Sequence, residues 1–139
     1  FNLNSMADLG TGAGFPGLVV EIFNKNKAFH VKLYEKSPVK RRFLTSVIKE
    51  LSLNAQVLGD VRDEVIDSEI IICRAFKKLD QIIQVSREIA QKPHKLMILK
   101  GQNAQEEIKN SFKTKKYPYK LESSMTNKDS KIILMEINK

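Results

Sequence analysis

Residues 8–17 read Asp-Leu-Gly-Thr-Gly-Ala-Gly-Phe-Pro-Gly, which puts four glycines within eight positions. The stretch follows Met6 and Ala7 and runs straight into Leu18-Val19-Val20-Glu21-Ile22-Phe23. Physically this is a strand, a glycine-rich turn and a helix. Gly10 and Gly12 allow a sharp turn and a close approach of backbone to ligand, because no Cβ intervenes. Pro16 suits the first turn of the helix, where its missing N–H is no loss. Exposed N–H groups at that helix start favour an anionic or electron-rich ligand. A loop of this composition that merely turned the chain would lose conformational entropy without a return.

A bare GxGxxG points to NAD or FAD. Here Asp8 stands two residues before the first glycine, giving acidic-x-Gly-x-Gly-x-Gly. That pattern resembles the first motif of class I S-adenosylmethionine (SAM) methyltransferases, whose cofactor-binding positions fall here on Asp8, Gly10, Thr11, Gly12, Gly14 and Phe15. Glu35 lies 23 residues after Gly12. An acid about 20 residues past such a loop can accept hydrogen bonds from both ribose hydroxyls of an adenosine cofactor. NAD and SAM share that moiety, so Glu35 does not separate them. Asp60 follows the third strand, where a carboxylate can meet the adenine edge, and Asp63 and Glu64 compete for that role.

Beyond the loop, apolar runs and helical patterns alternate with no internal repeat. Strands are expected over 5–9, 30–34, 55–58, 70–73, 95–99, 117–122 and 131–137, and helices over 15–24, from Ser37-Pro38 to about Leu51, 79–90 and 104–112. Repeated strand–helix units imply an α/β fold, a mostly parallel sheet with helices on both faces. A final antiparallel pair is how class I methyltransferases end, so the expected architecture is their Rossmann-like sheet with an antiparallel C-terminal strand.

The chain has 139 residues, enough for one domain with a real core. No apolar run approaches the roughly 18 residues that a membrane helix needs, and no secretory signal is visible. One cysteine, Cys73, and two histidines leave no disulfide and no metal set. These features point to a soluble cytoplasmic protein, and a monomer is the expected state. The net charge of +8 makes a polyanion such as nucleic acid a plausible partner. The chain opens on Phe1, with a strand almost at once, which reads as a fragment lacking an upstream part.

Arg74 directly follows the fourth strand and Lys100 directly follows the fifth. Ligands of open α/β sheets bind beyond the carboxyl ends of the strands, so these two cations would face the cofactor or a polyanionic substrate. A half-buried arginine needs a partner, for which Asp8 or a backbone carbonyl is the candidate. Lys40-Arg41-Arg42 and the segment 113–120, which mixes lysines with Tyr117 and Tyr119, could meet phosphates and stack on a base. They read equally as a solvated helix face and an ordinary strand.

Taken together, residues 8–17, Glu35 with Lys40 and Phe43-Leu44, Arg74-Ala75-Phe76, and Lys100-Gly101 with Glu106-Glu107-Ile108 resemble one family over nearly the whole chain. This is the bacterial 16S ribosomal RNA methyltransferase G, or glucose-inhibited division protein B, family. The resemblance implies a single SAM-dependent methyltransferase domain over 1–139. The family's upstream helical segment has no counterpart in it. It also implies transfer of a methyl group from SAM to N7 of a guanine in the small-subunit RNA. The Gly10 to Gly14 turn would then hold the methionine part of SAM and Glu35 its ribose. Arg74 and Lys100 would be the catalytic pair facing the RNA or target base, and Ser124 and Thr126 would lie near the active face. Guanine N7 has a free lone pair and no proton to remove, so alignment matters more than a general base. An NAD-dependent oxidoreductase and a basic RNA-binding module without catalysis remain the alternatives.

Overall fold

The computed structural model describes residues 3–112 and 116–138. Seven strands form one sheet in the order β3-β2-β1-β4-β5-β7-β6. β1 (Ser5–Leu9), β2 (His30–Tyr34), β3 (Ala55–Leu58), β4 (Ile70–Arg74) and β5 (His94–Lys100) are parallel, whereas β7 (Lys131–Ile137) runs antiparallel to both β5 and β6 (Tyr119–Ser123). This is the expected architecture.

Strand alternation divides the core. Met6, Val31, Leu33, Ile70 and Ile72 point to one face and pack with Leu18 of α1 (Gly17–Phe23) and Leu44 of α2 (Pro38–Leu51). Ala7, Leu9, Ile71, Leu96 and Ile98 point to the other and pack with Leu79 and Ile82 of α3 (Leu79–Ile89) and Ile108 of α4 (Ala104–Ser111). Each such buried side chain contributes about 1.5–3 kcal/mol relative to exposure. On the α1/α2 face, Leu3, Ile70, Met97 and Leu134 line a separate apolar hollow of about 280 Å³.

Helix ends differ from the sequence reading where caps decide them. α2 starts as expected: Ser37 caps it by accepting from the Lys40 N–H, and Pro38 is its first residue. α1 begins later than Phe15. Pro16 occupies the cap position after a cis peptide bond, and the helix starts at Gly17. A one-turn 3-10 segment at Val61–Asp63, capped by Asp60, was not expected from the pattern. No described helix is long and apolar enough to cross a membrane.

Strand order reverses between β1 and β4, whose carboxyl ends lie side by side with Leu9 opposite Cys73. Crevices at such a reversal are where open α/β sheets take ligands. The β1–α1 loop, Arg74 and the segment after it all emerge there.

Candidate functional site

Asp8 sits on the α1 side of β1, directly beneath the start of that helix. Its Oδ2 accepts the Thr11 hydroxyl at 2.7 Å and the Gly17 N–H at 2.8 Å. The carboxylate is fully buried and its Oδ1 has no hydrogen-bond partner. Burial pushes its pKa up, against the Thr11 and Gly17 hydrogen bonds and the positive charge of Arg74, which pull it down. Asp8 therefore holds the loop to the helix from below.

Above it, Gly10 and Thr11 both donate backbone N–H groups to the Tyr34 carbonyl, at 2.9 and 3.1 Å. Gly12 then crosses to Glu35, whose Oε2 accepts its N–H at 3.0 Å while Oε1 accepts the Ser37 N–H at 2.9 Å. One buried carboxylate thus joins the glycine loop to the start of α2. Gly12 has a φ of +64°, and nothing lies within 4 Å of where its Cβ would be. The left-handed backbone and the open space beside it suit a close-approaching ligand.

A cavity of about 310 Å³ opens at this edge, bounded by Gly10, Glu35, Asp60, Ala75, Phe76 and Val85 among others. Of the eight expected cofactor residues, Gly10, Glu35 and Asp60 therefore border it directly. Asp8, Thr11 and Gly14 are buried in the loop's support, while Phe15 is half exposed at its outer edge. Asp60 borders the cavity, whereas Asp63 and Glu64 are exposed and lie outside its lining. Arg62 and Lys36 both pair with its carboxylate, at 2.6 and 3.2 Å, and these hydrogen bonds hold its pKa well below the usual range. The sequence reading missed Phe76, Arg62 and Lys36 as site residues. The aromatic ring of Phe76, two residues past the strand-end cation Arg74, was the available signal.

The two cations behave differently from one another and from expectation. Arg74 is exposed and not paired with Asp8. Its guanidinium carbon stands 5.9 Å from the Phe15 ring centroid, a cation–π placement that leaves the charge facing solvent. Lys100 is turned inward: its Nζ donates to the Lys77 carbonyl at 2.7 Å and pairs with Glu107 at 2.8 Å. The same Glu107 oxygen accepts the Leu79 N–H at 3.0 Å, capping α3 from a neighbouring helix. Lys100 thereby braces the loop that carries Phe76.

Of the basic patches, Lys40 and Arg42 are exposed, while Arg41 donates to the Glu35 and Lys36 carbonyls. Lys113, Thr114 and Lys115 lie outside the described residues. Tyr117 and Tyr119 pack on Phe112, with ring centroids 5.9 and 5.5 Å away, so they fit the ordinary structural reading. Ser124 borders a second cavity beyond Arg74, whereas Thr126 is exposed and hydrogen-bonds Ser124.

The family profile of GidB, rRNA small subunit methyltransferase G, matches residues 1–133. The chain belongs to this family. It is 32% identical to the ribosomal RNA small subunit methyltransferase G of Pelagibacter ubique, over 99% of this chain and 66% of that protein. Identity to the Mesoplasma florum protein of the same name is 38%, over 88% of this chain and 52% of that one. The chain thus spans between about half and two thirds of the length of these relatives.

Solved structures share its fold at much lower identity. A SAM-dependent methyltransferase from Aquifex aeolicus superposes with a TM-score of 0.68 at 11% identity, over 95% of this chain and 80% of that one. M. jannaschii TYW2 in complex with AdoMet gives 0.64 at 18%, over 95% and 66%. The family's sheet is therefore the Rossmann-like sheet of SAM-dependent methyltransferases.

Proposed function

We propose that this chain is the catalytic domain of a SAM-dependent methyltransferase that modifies guanine N7 in 16S ribosomal RNA of the small subunit, in the cytoplasm. The observation that carries this reading is the glycine loop pinned by Glu35 beside the cavity, in a chain of this family. The residues fit the cofactor. Gly12 leaves open the space a Cβ would fill, Asp8 presents an unpartnered buried oxygen beneath the loop, and Glu35 and Asp60 offer acceptors along one wall. On this reading Gly10 to Gly14 hold the methionine part, Glu35 the ribose hydroxyls and Asp60 the adenine edge, with Phe76 covering it.

When bound, SAM supplies an electrophilic methyl carbon that the guanine N7 lone pair takes as the carbon–sulfur electron pair returns to sulfur. No proton has to be removed, so the protein's work is alignment, and no metal is called for. Arg74 is assigned to hydrogen-bond the base edge or its phosphate. Lys100 is assigned to position the Phe76 loop through Lys77 and Glu107.

The test is calorimetric titration with SAM, S-adenosylhomocysteine and NAD, followed by methyl transfer to small subunits lacking the modification. Saturable binding of the two sulfur ligands without NAD, with methyl incorporation, is expected. NAD binding alone would overturn the reading.

A further inference from the structure

A second cavity, of about 370 Å³, lies next to the first and shares one wall residue with it, Ala75. Ala75 has a φ of +49°, a conformation that L residues rarely adopt. That turn puts Arg74 on the second cavity and Phe76 on the first. The two cavities differ in chemistry. Carboxylates Glu35 and Asp60 border the first together with the cations Lys36, Arg62 and Lys77, while the second is bordered by Arg74, Lys100 and Lys131 with Ser124 and Ser130 and by no carboxylate.

The three cations are not equivalent. Glu107 neutralises Lys100. Neither Arg74 nor Lys131 pairs with a carboxylate among the described residues. The Lys131 ammonium is instead held in place by neutral acceptors, Ser123 Oγ at 2.9 Å and the Lys128 carbonyl at 3.0 Å. It also stands directly opposite Lys100 across the β5–β7 ladder. An oriented, unneutralised ammonium with a third N–H still available suits a phosphate oxygen.

We infer that the second cavity receives the acceptor nucleotide, with Lys131 of the β6–β7 hairpin binding its phosphate. This rests on the methyl-transfer reading above and adds to it a substrate-binding residue from the far end of the chain. An RNA base must leave its stack to reach a cofactor held in the neighbouring cavity, and an unstacked nucleotide brings its phosphate with it. Ser124 lies on the same wall, where its hydroxyl can meet the base or sugar.

The experiment compares the unaltered chain with Lys131→Gln, Lys131→Arg and, as a surface control, Lys120→Gln. Binding of a small-subunit RNA fragment is measured across a salt series, and S-adenosylhomocysteine binding by calorimetry. Lys131→Gln is expected to weaken RNA binding about tenfold and to make the log K against log salt slope shallower by about 1, as loss of one phosphate contact does. S-adenosylhomocysteine affinity should stay unchanged, which also shows that the variant folds. Lys131→Arg should restore the slope, and Lys120→Gln should leave it alone. An unchanged slope in Lys131→Gln would overturn the inference. So would a loss matched by Lys120→Gln. The methyltransferase reading fails separately, if the unaltered chain binds neither sulfur ligand.

Discussion

Arg74 is the residue on which the proposed chemistry most depends, and its environment explains why its role can be isolated. It is exposed, rests over Phe15 and supports no buried hydrogen bond among the described residues, so removing it should not disturb the core. Arg74→Ala is therefore expected to reduce methyl transfer by about 10²-fold, the usual cost of losing alignment at the reacting atom. SAM affinity should stay within a few-fold by calorimetry. Undiminished transfer in the variant would remove Arg74 from the mechanism. Glu35 offers no such separation. Its carboxylate accepts N–H groups from both Gly12 and Ser37, so any substitution disturbs loop and ligand together.

At the scale of elements, the β1–α1 unit divides support from contact, and two glycines report on each. A Cβ on Gly17 would overlap Leu33 Cδ2 and come within 2.7 Å of Asp8 Oδ2. The carboxylate would have to shift and give up its bonds to Gly17 and Thr11. Alanine gains about 1 kcal/mol over glycine in a helix, but overpacking of this kind costs about 1–3 kcal/mol, and the broken buried bonds add to it. Gly17→Ala should thus destabilise the fold in urea unfolding. Gly12→Ala meets no atom, so its stability cost is only the left-handed backbone, about 1–2 kcal/mol. Its methyl group would occupy the open space, and the expected outcome is a loss of SAM binding out of proportion to that cost.

Much of this unit was legible in the chain. Glycines at positive φ and an acid at a strand end are demanded by turn and strand geometry, so residue type alone reveals them. Strands β1, β2, β3 and β7 fall where the apolar runs put them. β6 begins at Tyr119 rather than Tyr117, because Pro118 has no N–H for the ladder and Tyr117 packs on Phe112. What escaped the sequence was side-chain direction. Lys100 could be placed at a strand end, but its turn toward Glu107 depends on how α4 lies against α3. The Lys36–Asp60 pair likewise joins residues from separate turns.

Over the whole molecule, stability against pH is set by carboxylates pulling in opposite directions. Burial raises the pKa of Asp8 above its ordinary 3.8, so its contribution is most favourable below 3.8 and is lost as pH rises through the raised value. Asp60 and Asp67 are held low by hydrogen bonds from Arg62 and Lys32 respectively, so what they add is present above 3.8 and lost as pH falls. Asp67 is largely solvent-exposed, which keeps its share small, whereas the Asp60 side chain is only about one fifth exposed. The net charge of +8 grows as carboxylates take up protons, and self-repulsion adds to the acid-side loss. The Asp8 contribution should therefore decline as pH rises through its raised pKa, while those of Asp60 and Asp67 are lost as pH falls through their lowered ones. Asp8→Asn tests the first of these. The amide oxygen can still accept from Thr11 and Gly17, while the buried charge is gone. Urea unfolding from about pH 4 to pH 7 should show the neutral-side decline flattened in the variant. A decline of the same size in both proteins would mean that Asp8 is not its source. Arg74 enters the same balance, because its positive charge lowers the Asp8 pKa. Arg74→Ala should consequently move the decline to higher pH, which would link the exposed cation over Phe15 to the buried acid that holds the loop.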